Sequence, residues 1–521
     1  MEGSCGRGSS VLVVGGFPPG AVYMGASLVK KKSIVFVNPP YTVWDERVRL
    51  PRALENTMPS LGLLGLAAVV REAGWEPHVV EAGALGLSLG ETARLVVSKD
   101  PAVLAVRAST VSVVNGARLA AMVKEAAPHV TVVLGGPHVS AVPAETMERL
   151  PVFDFGVVGE GELTLVELLS VLDGGGDPAG IRGLVFVKGG ETVVTGRRPY
   201  IEDLDGLPMP AWDLLDGFPG AYRPPLLSYR ALPAASLVTS RGCPYGCTFC
   251  DRSVFGRRYR GFGAAYVASM AERLVTAYGV RHILFYDDLF SVSKDRLVEV
   301  CRRLRPLAEG HGLTWSCDAR VESVTAGTLA QMKAAGCWEI AYGVESGSQE
   351  ILDRVAKGTR LEEVERAVRL THEAGIKVKG LFMMGHPGET PRTIRMTVEL
   401  ARRLPFDHIN ISRFTPYPGT AVYREASRWG EFREDWERMN AMTAVFVPRG
   451  FTEASLTRAY RRAILDFYVR PSVLWRLAKD LVRNPDTARR LLAAQGELIG
   501  SLVRMPFHGL REGGRKGPPA A

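Results

Sequence analysis

Three cysteines lie within eight residues of this sequence and carry its strongest chemical signal. Cys243, Cys247 and Cys250 are spaced C-x3-C-x2-C, and the proline, glycine and small residues between them permit a tight loop. Three thiolates in such a loop can bind one face of an iron–sulfur cubane, which normally takes four cysteine ligands. No fourth cysteine lies nearby in the sequence, so the spacing predicts a 4Fe-4S cluster with one iron left open.

A structural zinc loop is the alternative interpretation of the same cysteines. Its fourth ligand would be Cys301, Cys317 or Cys337. These three residues fall in a predicted helix and in or beside two predicted strands, where a buried apolar cysteine is the simpler expectation. A sparse and odd set of seven cysteines in the chain favours a reducing compartment over a disulfide framework.

The cysteines follow directly on an apolar strand, the first of six. Strand and helix patterns alternate over 235–445, and the predicted strands lie near 236–240, 282–286, 313–317, 338–343, 376–383 and 408–413. Crossovers of this length between apolar strands predict a parallel α/β barrel of about six units, complete or partial. Active sites of such barrels lie at the carboxyl ends of the strands, which is where the cysteines fall.

With these motifs the sequence resembles the radical S-adenosylmethionine (SAM) enzymes, which carry this cysteine spacing after the first barrel strand. The resemblance implies that the open iron chelates SAM. It also implies that one electron from the cluster cleaves SAM to methionine and a 5′-deoxyadenosyl radical. The electron would come from a donor such as flavodoxin or ferredoxin.

Later strand ends carry the residues expected to bind SAM. The Glu345 carboxylate can reach ribose hydroxyls, and an acidic pair after the second strand can take an ammonium or a hydroxyl group. The backbone of 385–388 can pack against an adenine or methionine moiety. For each acidic residue the alternative is to cap the following helix. The expected SAM-binding residues are Asp287, Asp288, Glu345, Gly385 and Gly388.

Residues 33–172 alternate β-branched runs with helical patterns. This alternation predicts a doubly wound, Rossmann-like parallel sheet that binds its ligand beyond the carboxyl ends of the strands. The region resembles the cobalamin-binding domain that precedes the barrel in one branch of radical SAM enzymes. Residues at its strand ends are therefore expected to contact cobalamin: Asn38, Pro39, Ser109, Gly135, Gly136, His138, Gly159 and Glu160.

Cobalt ligation by a protein histidine is not expected. Cobalamin domains that use a histidine ligand carry the motif Asp-x-His-x-x-Gly, which is absent from this sequence. We therefore expect His138 to contact corrin side chains or simply to pack, while ligation of cobalt by His138 is the alternative.

The remaining segments divide the chain further. We expect a flexible extension over 1–32, a hairpin and proline-rich connector over 173–234, and a basic helical tail over 446–521 that is disordered at its end. Residues 451–521 hold 13 Lys or Arg against 6 Asp or Glu, which is +7 of the net charge of +9. The nearly neutral body argues against nucleic-acid binding. The absence of a secretory pattern and of a long apolar run predicts a cytoplasmic protein.

The tail pattern is amphipathic, with a break expected at Pro471. Its apolar positions are interspersed with arginines, so its helices have one apolar and one basic face. One interpretation is that the helices pack on the barrel and leave the arginines in solvent. The other is that they lie on an anionic membrane and admit a lipid-like substrate such as an isoprenoid.

These resemblances imply a function. The leading hypothesis is a cobalamin-dependent radical SAM methyltransferase acting on an unactivated carbon of a small or lipid-like substrate. In such enzymes the radical abstracts hydrogen from the substrate, methylcobalamin supplies the methyl group, and a second SAM regenerates it. One alternative is cyclisation or rearrangement without methyl transfer, as in the anaerobic magnesium-protoporphyrin ester cyclase. Another is a non-catalytic cobalamin sensor.

Overall fold

The computed structural model describes residues 32–40 and 55–492. The extension predicted over 1–32 lies outside this part of the chain except for its last residue. The predicted disordered end of the tail, from residue 493 onward, also lies outside it.

Seven strands form the first sheet. Their bounds are β1 (Ser33–Asn38), β2 (Glu76–Glu81), β3 (Val103–Arg107), β4 (Thr131–Gly135), β5 (Phe155–Val157), β6 (Leu184–Lys188) and β7 (Glu191–Val194). The strand order is β2-β1-β3-β4-β5-β6-β7, and β1 to β5 run parallel. This arrangement confirms the predicted parallel sheet.

Helices cover both faces of this sheet. They are α1 (Leu61–Glu72), α2 (Ala82–Leu85), α3 (Leu89–Ser98), α4 (Val113–Ala126), α5 (Pro137–Ala141), α6 (Pro143–Arg149) and α7 (Glu162–Gly174). Alternate residues of β1 belong to different cores: Ile34 and Phe36 pack with α1 and α7, whereas Val35 and Val37 pack with α3 and α4. A strand that is buried on both faces explains the continuous apolar run of β1.

The predicted hairpin is present, but it is part of the first sheet and not of a connector. Its strands β6 and β7 add to the sheet by antiparallel pairing, with Gly156 of β5 opposite Val185. The physical reason is that β5 would otherwise leave an unpaired edge, which β6 covers.

A second sheet follows. Its strands are β8 (Ala234–Leu237), β11 (His282–Phe285), β12 (Thr314–Ala319), β13 (Cys337–Glu345), β14 (Lys377–Met384) and β15 (His408–Arg413). A short separate pair is formed by β9 (Ser240–Arg241) and β10 (Arg260–Gly261). Six of these strands pair in parallel in the order β8-β11-β12-β13-β14-β15. Within the described residues β8 and β15 stay unpaired with each other, so the six predicted strands form a partial barrel.

The crossovers of the second sheet are helical, as in a (β/α) barrel. The helices are α8 (Ala264–Tyr278), α9 (Lys294–His311), α10 (Ala326–Ala334), α11 (Gln349–Arg354), α12 (Leu361–Glu373), α13 (Pro391–Arg403) and α14 (Ala421–Trp429). A short antiparallel pair, β16 (Gly430–Phe432) and β17 (Phe446–Pro448), comes before the tail.

The tail packs along the open side of the barrel. Its helices are α15 (Glu453–Tyr468) and α16 (Pro471–Arg483), which separate at the predicted break. The Tyr460 hydroxyl donates to the Ile411 carbonyl of β15 at 2.9 Å, and Asn484 donates to the Arg230 carbonyl, just before β8, at 3.2 Å. The tail therefore bridges the two edge strands. In the described part of the chain, no helix is both long and apolar enough to cross a membrane.

Candidate active site

The cysteine loop begins after β9 and returns at β10. The antiparallel pairing of Arg241 with Arg260 closes it as a hairpin. Gly242, immediately before the first cysteine, has φ +82°, and a Cβ there would lie 2.3 Å from the Arg258 carbonyl oxygen. Only glycine fits this position, so the turn that presents the three cysteines depends on Gly242.

The three thiols occupy different environments. Cys247 is buried, Cys243 is half-buried and Cys250 is exposed, and all three are free. A hydrogen bond with Cys250, together with the charges of Lys357 and Arg320, lowers the pKa of the Cys247 thiol. The Arg320 guanidinium lies 3.9 Å from the Cys247 sulfur. Two cations beside one thiol favour the thiolate, which is the form that binds iron.

The other cysteines lie elsewhere. Cys301, Cys317 and Cys337 are buried in the hydrophobic core, as expected for apolar cysteines. Among the described residues, no three His, Cys, Asp or Glu side chains are arranged to hold a single metal ion. The ligands of a cubane bind separate irons and surround the cluster, so they do not need to meet at one point. The loop thiols and their flanking cations fit such an anionic cluster.

The two aspartates after β11 have different surroundings. Asp287 is buried and accepts hydrogen bonds from the Thr239 amide at 2.8 Å and the Ser240 hydroxyl at 2.5 Å. Burial raises its pKa to about 6. Asp288 is exposed and accepts from the Gly242 amide at 3.2 Å. Asp287 thus anchors the start of the cysteine loop, while Asp288 faces open space beside Cys243.

Glu345 ends β13 with a positive φ of 66° and a buried side chain. Its Oε1 atom accepts from the Lys357 ammonium at 2.9 Å, and Lys357 in turn lies near Cys247. Burial tends to lower the pKa of Lys357, but Glu345 outweighs it and the pKa is raised. Sequence reasoning missed this lysine because it lies in a loop, 12 residues after Glu345.

The glycines after β14 are held by protein contacts. The Gly385 amide donates to the buried Glu389 carboxylate, as does the His386 amide. Burial raises the pKa of Glu389 to about 7. At Gly388 (φ +72°) a Cβ would lie 1.8 Å from the Arg354 guanidinium. The Arg354 side chain is flexible and could move, so the preference for glycine at position 388 follows from its positive φ, independently of any ligand.

A cavity of about 610 Å³ lies between the two sheets. The first sheet contributes Gly135, Gly136, Gly159 and Glu160 of the predicted residues, and the second contributes all three cysteines of the loop and Asp288. Much of the remaining wall is apolar and comes from α1, α8 and the segment between the sheets, through Leu61, Leu66, Val69, Leu207, Pro208, Pro210, Tyr266 and Met270.

Four predicted cobalamin contacts are not among the described residues that line this cavity: Asn38, Pro39, Ser109 and His138. The Asn38 amide donates to Glu81 at 2.8 Å, and the Ser109 amide donates to the Ser112 hydroxyl within a turn. His138 is buried, and the centres of the His138 and Trp436 rings lie 4.3 Å apart in an edge-to-face arrangement. Burial lowers the pKa of His138 to about 3. His138 thus packs at the contact between 430–438 and the first sheet.

Glu160 lies in the cavity wall, but its carboxylate is engaged by protein groups. It receives hydrogen bonds from Arg241 at 2.9 Å, Arg260 at 2.8 Å and the Ile201 amide at 2.8 Å. Arg241 also pairs with Glu162 at 2.6 Å. These side chains are nearly buried, so the end of β5 is tied to the two strands that frame the cysteine loop. In the sequence, the signal for this network is the position of Arg241, two residues before Cys243.

Two family descriptions match this chain. Residues 237–401 match the radical SAM superfamily, and residues 52–169 match the B12 binding domain. The chain is 32% identical to an uncharacterized methyltransferase of Pyrococcus horikoshii, over 86% of this chain and 94% of the relative. It is 27% identical to the anaerobic magnesium-protoporphyrin IX monomethyl ester cyclase of Cereibacter sphaeroides, over 93% of this chain and 78% of that protein.

The fold is also similar to a solved structure. The radical SAM methyltransferase TsrM of Kitasatospora setae, with cobalamin and a 4Fe-4S cluster bound, superposes with a TM-score of 0.66. That alignment covers 85% of this chain and 90% of TsrM at 19% identity, so it supports the fold.

The two sheets, the cysteine loop between them and these matches define a radical SAM enzyme that carries a B12-binding region ahead of its barrel. The chain belongs to the family of cobalamin-dependent radical SAM enzymes, which confirms the resemblance drawn from its motifs. The cofactors of this family are a 4Fe-4S cluster, SAM and cobalamin.

Proposed function

We propose that this protein is a methyltransferase that acts on an unactivated carbon. One observation carries the proposal: the same cavity is lined by the strand ends of the first sheet and by Cys243, Cys247 and Cys250. Groups bound on the two sheets would therefore face one substrate. When bound, the cluster with SAM supplies a carbon radical, and cobalamin supplies a methyl group.

The residues of the chain have distinct roles in this proposal. The three cysteines hold the cluster, and Arg320 and Lys357 offset the negative charge of its thiolates. Asp288 and Glu345 are the acidic groups that would orient SAM. The apolar wall from α1 and α8 excludes water from the space where a reactive carbon would form. Glycines 135, 136 and 159 let a flat ligand approach the backbone.

The names of the relatives support methyl transfer, and they also leave a second reaction as a candidate. The Pyrococcus horikoshii relative is named a methyltransferase, whereas the Cereibacter sphaeroides relative is named a cyclase. Oxidative cyclisation without methyl transfer is therefore the second candidate. A cobalamin sensor without catalysis is not supported, because these relatives carry the names of enzymes over most of this chain.

Labelled SAM separates the two candidates before the substrate is known. The anaerobically reconstituted protein would be incubated with reductant, cobalamin and SAM that carries ¹⁴C in its methyl group. A methyltransferase is expected to move radioactivity into the cobalamin fraction in the dark. If the label stays in SAM and methionine while SAM is cleaved, the cyclase assignment is the better one.

The electron donor, the kind of substrate and the location of the protein belong to this proposal too. We expect a cytoplasmic protein that receives electrons from a flavodoxin or ferredoxin. Its substrate is a small molecule, or a lipid-like one if the tail lies on a membrane surface. Contact with a membrane surface is supported by two apolar side chains of the tail, Trp475 and Val482, which are 63% and 84% exposed.

A further inference from the structure

Two opposite charges lie on the inner face of the second sheet. Residues of the outer face, such as Cys317 and Val378, belong to the core beneath the helices. Asp318 and Lys379 have the opposite parity and face the lumen. Asp318 pairs in register with Ala341, and Ala341 pairs with Lys379, so the two charged residues lie at one level on β12 and β14.

The two side chains form no ion pair with each other, although the charge of Lys379 acts on Asp318 and also on the buried Glu339. Within the described residues, no hydrogen bond or ion pair engages the Asp318 carboxylate, and Lys379 donates only to the Ser228 hydroxyl, at 3.3 Å. β12 and β14 are about 10 Å apart, because neighbouring strands are separated by about 4.8 Å. Ala341, between them on β13, is itself buried, whereas Asp318 and Asn410 are exposed to the lumen.

Asp318 faces the lumen although it lies on a central strand. Its side chain is exposed, while the barrel wall around it desolvates the carboxylate and raises its pKa to about 6. The charge of Lys379 opposes this shift. Asn410 is also exposed on the inner face, one level further along the barrel, opposite Leu381. It has no hydrogen-bond partner in the part of the chain that the structure describes.

The level of Asp318 reaches the cavity between the sheets. Phe285 pairs in register with Cys317, which brings the next residues, Tyr286 and Asp318, side by side. Tyr286 lines that cavity close to Asp288. Asp318 therefore lies beside a residue of the cavity wall, and Lys379 lies at the same level on β14.

We infer that Asp318 and Lys379 recognise a zwitterionic substrate group of the α-amino acid type, with its ammonium on Asp318 and its carboxylate on Lys379. The opposite charges of the two side chains match the opposite charges of such a group. Asn410 supplies a further hydrogen bond. This inference rests on the proposed function, because it specifies the substrate of that reaction.

Equilibrium dialysis of the reconstituted enzyme tests the inference. The probes are the twenty protein amino acids, each with its N-acetyl form, which lacks the ammonium, and its amide, which lacks the carboxylate. At least one free amino acid is expected to be retained at least tenfold better than either derivative. D318N and K379M are each expected to lower this retention at least tenfold, and D318E is expected to restore part of it.

SAM itself carries an amino acid group, so its binding is measured in parallel. D318N and K379M are expected to leave the Kd for SAM and the iron content unchanged, which also shows that both variants fold. A tenfold loss of SAM affinity would assign the two charges to SAM and overturn the inference. Retention of no amino acid, or equal retention by the variants, would overturn it as well. Transfer of the methyl label to cobalamin in either case would leave the proposed function standing.

Discussion

Cys247 is the loop thiol that the protein surrounds with positive charge. Arg320 reaches its sulfur and also stacks over the Tyr245 ring at 3.7 Å, so the guanidinium is fixed in place. Lys357 also acts on Cys247 and is held by Glu345. Cations held this way stabilise thiolates before any iron arrives, and they also connect the cysteine loop to the ends of β12 and β13.

Replacing Cys243, Cys247 and Cys250 by alanine is expected to reduce bound iron from about four per chain to near zero after anaerobic reconstitution. SAM cleavage should disappear with it. C301A is the matched control, because Cys301 is buried in the core away from the loop and its loss should leave the iron content unchanged. Zinc at one per chain with full activity would contradict the assignment. Iron content and metal analysis provide the measurement.

Glu389 makes stability depend on pH. Its pKa is about 7 when folded, against an ordinary value of 4.5, because burial disfavours the charge. The folded state therefore binds the proton more tightly, and stability falls as pH rises from about 4.5 to 7. E389Q removes a penalty on the order of 3 kcal/mol. The variant should melt at higher temperature than the parent at pH 8, and this gain should vanish near pH 4.5. A gain that does not change with pH would contradict the explanation.

At the scale of elements, the turn before the cysteines depends on Gly242. Alanine at this position must adopt φ near +82° and place its Cβ 2.3 Å from a carbonyl oxygen. G279A is the matched control, because Gly279 ends α8 at φ +66° with nothing within 4 Å of a new Cβ. The control should lose about 1 to 2 kcal/mol of stability from backbone strain alone. G242A should lose more and should also bind less iron. Equal losses in unfolding free energy would show that the close contact is relieved without cost.

The six strands of the second sheet could be predicted because each is a short apolar run between helical segments. The fifth, for example, was expected at 376–383 and is Lys377–Met384. The strand with which the hairpin pairs could not be predicted in this way, because its alternating pattern is compatible with any open strand edge. The hairpin pairs with β5 because that strand would otherwise be an unpaired edge, and this is a contact between segments that are distant in sequence.

The candidate site also has a part that could be predicted from the sequence and a part that could not. The cysteine spacing is local, so the loop was recognisable from the sequence alone. Asp287 and Asp288 are adjacent and looked equivalent, but only the structure shows that Asp287 is used by Thr239 and Ser240. Glu160 likewise resembled a ligand contact until its two arginines were located. Those partners are 81 and 100 residues away in sequence, beyond the reach of any local pattern.

For the whole molecule, the buried Glu160 network sets how the two sheets meet. E160Q removes the charge that Arg241 and Arg260 share in a site that is almost closed to solvent. Breaking such a pair costs about 3 to 5 kcal/mol. Arg260 would stay buried without a carboxylate partner, whereas Arg241 would keep Glu162. The exposed pair between Arg118 and Glu437 also links the first sheet to a segment beyond the second, so E437Q is the control. It should cost less than about 1 kcal/mol. Chemical denaturation that finds equal costs would contradict this role for Glu160.

The tail combines packing with an exposed apolar face. Tyr460 and Phe467 are buried against the barrel, so removing 451–521 would also uncover β15. Trp475 and Val482, seven residues apart on α16, remain exposed near Lys479 and Arg483. This face suits an anionic membrane surface, where each basic residue contributes about 1 kcal/mol.

Sedimentation with vesicles tests the membrane hypothesis without removing the tail. The protein is expected to sediment with phosphatidylserine-containing vesicles and not with phosphatidylcholine vesicles. The double variant W475S/V482S should lose most of this binding, because the apolar contribution to insertion is removed while the charges remain. V187S/V194S is the control, since both valines are exposed apolar residues on the hairpin of the first sheet. Equal sedimentation with the two kinds of vesicle at low salt would leave packing on the barrel as the sole role of the tail.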